Sequence, residues 1–247
     1  MNTAKQRRSF SMVNLTTEEL AQLKSEGFLL MKDKEQFALR IVFPVGIATA
    51  EDLKNVAILA EKYGKGFGAV TVRLNFEIVG IPYENIAPMK EEMKKMGLLY
   101  GGTAKGVRPI VSCKGTVCKF GLIDTQAIGK ELHEKFYEMR LPHKFKINVT
   151  GCPNNCAKAQ LNDLGFMGAP KGTLRVFIGG RFGRQAIMGE EICKIDSSKA
   201  CEAATICTDF FKAHGKAKQR FGNMLEEMKD TKEYADFIAS LKALAVV

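Results

Sequence analysis

The stretch whose reading decides the fold is KFKINVTGCPNNCAKA, residues 144–159. Lys144 and Lys146 stand two apart in a segment that reads as a strand, a spacing that puts both side chains on one face. The strand runs into Thr-Gly-Cys-Pro, and Cys156 follows Cys152 by four positions. A helix starting at Pro153, a favoured first-turn residue, would set the two thiols about 40° apart. The positive end of a helix lowers thiol pKa and so suits a ligand that must be deprotonated.

Upstream, SCKGTVCKFG carries a second pair, Cys113 and Cys118, with a glycine in the tight loop between them. Two such pairs can supply the four ligands of an iron–sulfur cluster or of a zinc ion. Zinc favours tighter C-x2-C knuckles, so the wider spacings lean toward a cluster. On spacing alone, plain burial of four small residues accounts for them equally well. Cys201 and Cys207 lie six apart in a helical pattern, a turn of about 240°. With Cys193 they read as structural.

The chain has 37 basic and 27 acidic residues, a net charge of +10. That balance favours acidic partners or anionic ligands, although lysines in MKEEMKKMG and HGKAKQR read as a solvated face. No basic run interleaves with aromatics, so no nucleic-acid partner is expected. Seven cysteines in 247 residues is an odd count in a chain too large to need disulfide staples. No apolar run is long enough to span a bilayer, and no apolar segment follows the basic start. The expectation is a cytoplasmic protein without a membrane partner.

Residues 1–34 read as a mobile arm and a short helix capped in TTEEL. Residues 35–100 run strand, helix, strand or hairpin, helix, an α+β ferredoxin-like pattern. The helix TAEDLKNVAILAEKYG would present Leu53, Val56, Ala57 and Ala60 on one face. AVTVRLNFEIVGI reads as one long strand with Arg73, Asn75 and Glu77 on a shared face. A glycine-rich loop, GLLYGGTAKGVRP, then leads into residues 101–247, a second α+β domain holding all the cysteines.

From about residue 35 to its end the chain resembles the sirohaem-dependent sulfite and nitrite reductases. The resemblance rests on TGCPNNCA, on LPHKFKINVTG before it, on GVRPIVSC and on TVRLNFEIVGI, in that family's order. It implies a ferredoxin-like half-domain followed by a sirohaem/[4Fe-4S]-binding domain. Cys113, Cys118, Cys152 and Cys156 would hold the [4Fe-4S] cluster, with Cys156 also serving the sirohaem iron. Arg73, Arg108, Lys144 and Lys146 would surround the bound oxyanion. Thr71, Asn75, Arg108 and Asn154 would contact the macrocycle. The implied reaction is the six-electron reduction of sulfite to sulfide. The alternatives are nitrite reduction to ammonia at the same site, or a non-catalytic sirohaem/iron–sulfur electron-transfer subunit.

Three departures accompany the resemblance. Four residues, rather than the usual five, separate Cys113 from Cys118. Leu74 and Pro109 stand where the family has Gln and Asn. There is one half rather than a duplicated pair, as in the small sulfite reductases of anaerobes, so a homo-oligomer is expected. An acidic external donor such as ferredoxin or flavodoxin would supply electrons.

Overall fold

The computed structural model describes residues 14–103 and 105–246, so the expected arm at the start of the chain lies mainly outside the described residues. Thr16 opens the first helix with a reciprocal capping box to Glu19, fixing α1 over Thr17–Ser25. Strands β1 (Phe28–Leu30) and β2 (Gln36–Ile41) follow. A second capping box, Thr49 with Asp52, starts α2 (Ala50–Tyr63). β3 (Gly68–Val70), β4 (Phe76–Pro82) and α3 (Ile86–Met96) complete the first half, with α3 stopped by left-handed Gly97.

These strands form an antiparallel sheet in the order β1-β2-β4-β3. Its core gathers Phe28, Phe37, Leu39, Ile41, Ile78 and Ile81 with Leu59 of α2 and Met89 and Met93 of α3. The buried face of α2 is Asn55, Val56, Leu59, Ala60 and Tyr63. Leu53 and Ala57, expected on that face, are exposed, because the helix is turned to aim Leu59 and Tyr63 at the sheet.

The single long strand expected over residues 69–81 is instead a hairpin. Thr71 N–H donates to Asn75 O, Leu74 N–H donates to Thr71 O, and Leu74 takes the left-handed φ of 58°. Arg73 therefore sits at a turn tip, not on a strand face, and Val72 beside it is 95% exposed.

The second half is built on a five-stranded mixed sheet in the order β5-β6-β7-β8-β9. The strands are β5 (Val111–Ser112), β6 (Ile147–Thr150), β7 (Leu164–Ala169), β8 (Thr173–Ile178) and β9 (Glu190–Asp196). The β5–β6 and β6–β7 pairs are parallel; the remaining pairs are antiparallel. β6 and β7 are buried along their whole lengths, as parallel strands covered on both faces require. Helices α4 (Thr125–Phe136), α5 (Ala200–His214), α6 (Phe221–Met228) and α7 (Lys232–Lys242) close the core around Phe145, Phe211, Phe221 and Phe237. Cys201 and Cys207 are buried in that core, on α5.

Backbone contacts join the halves. Val45 bridges Val111 in parallel, and Gly101 N–H donates to Arg40 O at 3.1 Å. The glycine-rich loop allows close backbone packing: a Cβ on Gly106 would meet Met139 O at 2.2 Å, and its φ is 120°. Among the described residues no helix is long and apolar enough to cross a membrane.

Candidate active site

The Cys113 loop leaves the end of β5 and is laced to the start of α4. Thr125 Oγ1 donates to Cys113 O at 2.7 Å, and Thr116 Oγ1 donates to Asp124 Oδ1 at 2.6 Å. Asp124 also caps α4. The Cys152 loop leaves the end of β6, the neighbouring parallel strand, so both thiol loops start from the same end of the sheet. The loops touch backbone to backbone, since a Cβ on Gly151 would meet the Gly115 Cα at 2.9 Å. Leu122 N–H donates to Gly151 O at 2.9 Å, and Gly151 N–H donates to Cys113 Sγ at 3.1 Å.

The helix expected from Pro153 does not form. Two successive turns replace it: Asn155 N–H donates to Cys152 O, and Lys158 N–H donates to Asn155 O. Asn155 and Lys158 both take left-handed φ, 51° and 60°, which a right-handed helix excludes. Side chains hold this course, with Asn155 Oδ1 accepting from Ala159 N–H and Asn148 Nδ2 donating to Ala157 O. The helix-dipole argument for the thiols therefore falls away. What remains is a loop that carries Cys156 outward while Cys152 stays half-buried.

Cys113 and Cys156 line a cavity of about 650 Å³, together with Arg73, Lys146 and Asn148. Arg108 and Lys144 line a second cavity of about 660 Å³, with Lys24, Lys105, Arg140 and His143. The four expected cations are thus divided between two cavities, although their charges act on one another. The alternation around Phe145 is as expected: its ring is fully buried and the flanking lysines are half-buried. Cys118 and Cys152 line neither cavity, nor do Thr71, Asn75 and Asn154. Thr71 and Asn75 instead build the hairpin turn that presents Arg73: Asn75 N–H donates to Thr71 Oγ1, and Asn75 Nδ2 donates to Arg73 O.

Arg73 spans the two halves. Its Nη2 donates to Pro109 O at 2.7 Å and its Nη1 to Asn162 Oδ1 at 3.1 Å. Burial pushes its pKa down to about 10, with Arg108, Arg40 and Arg220 adding to the effect and Asp163 opposing it. It stays charged at neutral pH. Lys146 is pushed down to about 8, by burial first and then by Arg73 and Arg220. Burial likewise lowers Arg108 and Lys144.

Sequence reasoning missed Asn148, Asn162, Asp163 and Arg220. Arg220 closes the basic run HGKAKQR, whose lysines are exposed as expected, yet its side chain turns inward to Asp163 at 2.9 Å. An acid at the mouth of the apolar strand LGFMGA was the available signal, since a buried carboxylate demands a partner.

Among the described residues no three His, Cys, Asp or Glu side chains converge closely enough for a single metal ion. Thiols around a cubane stand farther apart than ligands of one ion, because four irons lie between them. The donor set fits such a group: four cysteines on two packed loops, one sulfur already accepting an amide. The cavity fits a large anionic ligand, being concave and cationic. Asn148 Oδ1 and Arg73 Nε are buried there without partners.

Residues 103–231 match the family model of the nitrite and sulphite reductase 4Fe-4S domain. Residues 30–96 match that of the nitrite/sulfite reductase ferredoxin-like half domain. An assimilatory-type sulfite reductase of Nitratidesulfovibrio vulgaris is 31% identical over 68% of this chain and 77% of its own. A ferredoxin–nitrite reductase of Synechococcus elongatus is 34% identical over 74% of this chain and 38% of its own. Several curated relatives are matched over only about half of their length or less. The fold matches the Mycobacterium tuberculosis NirA protein with a TM-score of 0.79 at 13% identity, over 96% of this chain and 49% of that one. The chain belongs to the nitrite and sulphite reductase family, oxidoreductases whose cofactors are a [4Fe-4S] cluster and sirohaem.

Proposed function

We propose that the chain reduces sulfite to sulfide: HSO3⁻ takes up six electrons and six protons to give HS⁻ and three waters. The observation that carries this reading is the placement of Arg73 and Lys146 on the wall of the cavity that Cys156 enters. Sirohaem with a [4Fe-4S] cluster would supply electrons singly. Cys113, Cys118, Cys152 and Cys156 would hold the cluster, and Cys156 would also serve the sirohaem iron.

The chain's own groups do the rest. Arg73, charged at neutral pH and braced by Pro109 and Asn162, binds the oxyanion. Lys146, with a pKa of about 8, holds a proton at Nζ at neutral pH and can release it as oxygen leaves as water. Arg108 and Lys144 draw the anion from the neighbouring cavity. Thr71 and Asn75 keep the hairpin tip in place beneath Arg73, and Asn154, on the exposed turn between Cys152 and Cys156, would contact the macrocycle.

Sulfite is preferred because the relative whose length this chain fills most fully, of those named above, is called a sulfite reductase. Nitrite is the second reading, favoured by a relative of similar identity that is called a nitrite reductase. An acidic carrier such as ferredoxin or flavodoxin, drawn by the +10 charge, is the proposed donor, and a homo-oligomer the proposed assembly. The test is a visible spectrum with iron and acid-labile sulfide counts, then steady-state rates with each anion and a reduced viologen donor. A higher kcat/KM for sulfite supports the proposal, a higher one for nitrite moves it to the second reading, and an iron-free colourless protein removes both.

A further inference from the structure

Behind the cavity wall stands a buried ion pair that no step above uses. Asp163 is fully buried, and Arg220 Nη2 donates to both its oxygens at 2.9 Å. The same carboxylate accepts the backbone N–H of Lys146 at 2.9 Å, while Lys146 O accepts Leu164 N–H at 3.0 Å. The Lys146 peptide is thereby gripped at both its donor and its acceptor. The preceding residue, Asn162, accepts from Arg73 and donates through Nδ2 to Lys158 O at 2.9 Å. Two consecutive residues at the entry to β7 thus hold Arg73, the Lys146 peptide, Arg220 and the turn that follows Cys156.

Stability alone is a weak reason for such a pair. Burying two charges costs about as much as their attraction returns, and an apolar pair of similar volume often does better. The geometry is also not that of a bridge optimised for strength. A side-on guanidinium would offer two parallel N–H groups, yet here one nitrogen serves both oxygens and Arg220 Nε is buried without a partner. What the arrangement does achieve is register: one carboxylate ties Lys146 to Arg220, a cation 57 residues beyond that carboxylate.

We infer that Asp163 and Arg220 are positioning residues for the anion site, Asp163 fixing the Lys146 peptide and Arg220 placing a fixed positive charge behind its side chain. The inference rests on the reading of Lys146 as substrate-facing. The charged groups that act on Lys146 are Arg73, Arg220 and Lys144, which disfavour its ammonium, and Asp163, which favours it. Removing Arg220 or Asp163 therefore moves Lys146 in opposite directions, which a general loss of packing does not do.

The test is competitive acylation of the cofactor-bound full chain across pH, with Lys146 followed by peptide mass spectrometry. Arg220→Met is expected to raise the pH midpoint of Lys146 labelling, and Asp163→Asn to lower it. Arg220→Lys, which keeps the charge, is expected to stay near the wild-type value. Midpoints unchanged in both Arg220→Met and Asp163→Asn, with circular dichroism intact, overturn the inference. Should Asp163→Asn fail to fold, Arg220→Met against Arg220→Lys decides it alone. In turnover, Arg220→Met is expected to lower kcat/KM for sulfite about tenfold or more, with recovery in Arg220→Lys. A wild-type protein that reduces neither anion would sink the functional reading and leave the labelling result to judge the positioning pair.

Discussion

The backbone amide of Gly151 donates to the sulfur of Cys113 across 3.1 Å, joining the two thiol loops at the residue just before Cys152. The contact fixes where the Cys113 sulfur stands against the backbone of the Cys152 loop. It also brings the shorter Cys113–Cys118 loop into register with the Cys152 loop. Cys113→Ala is expected to abolish cluster incorporation, read as loss of iron and acid-labile sulfide after anaerobic reconstitution. Cys207→Ala, in the core of α5, is expected to keep the full iron count while lowering stability through a cavity.

Lys146 provides a pH test with a definite sign. Its native pKa of about 8 lies below the unfolded value of about 10.4, so between those values the unfolded chain binds more protons. Stability from this group therefore rises with pH through that window, and below it the charged ammonium is a burden. Lys146→Met is expected to melt higher than wild type at pH 7, with the gap narrowing toward pH 10. The same substitution is expected to lower kcat/KM and to remove the alkaline limb of the rate profile above about pH 8.

His133 makes the opposite end of the pH scale testable. It is buried against Tyr137, ring centroids 4.4 Å apart, with neither ring nitrogen hydrogen-bonded. Burial pushes its pKa down to about 4. Since the unfolded value is about 6.5, the native state resists protonation and stability is lost as pH falls through that window. His133→Phe is expected to flatten the dependence of melting temperature on pH between about 6.5 and 4, where wild type declines.

Gly106 tests the joint that carries Arg108. With φ at 120° and Met139 O only 2.2 Å from where a Cβ would stand, no other residue fits without moving the chain. Gly106 O also accepts the Phe145 N–H at 2.9 Å, in the segment bearing Lys144 and Lys146. Gly106→Ala is expected to cost about 2–4 kcal/mol in denaturant unfolding and to raise KM for the anion by displacing both lysines.

Much of the site was legible because its marks are local. Cys152 and Cys156 are close in sequence, as are Lys144 and Lys146, and alternation around a buried Phe145 turns both half-buried lysines away from the core that holds its ring. Arg73 was legible as a residue but not in its setting, since a left-handed Leu74 makes a turn where β-rich composition promised a strand. The helix after Cys152 failed similarly: Pro153 is a good first-turn residue, but Asn148 and Asn155 pull the loop into successive turns. Asp163 and Arg220 left almost no local trace, because each is ordinary until the other is beside it.

The sequence by itself determined the two-part α+β plan, through periodicity, and the family, through the resemblance its short motifs carry; it also shows the candidate thiols as two close pairs. Local pattern and short motifs survive in any compact arrangement. Only the tertiary structure decided that Cys113 and Cys156 share a cavity with Arg73 and Lys146, and that Arg108 and Lys144 open on another. Only it decided that a buried Asp163 ties Lys146 to Arg220. The physical reason is that burial and charge–charge coupling belong to the packed chain: a lysine next to two arginines in space carries no sign of them in sequence.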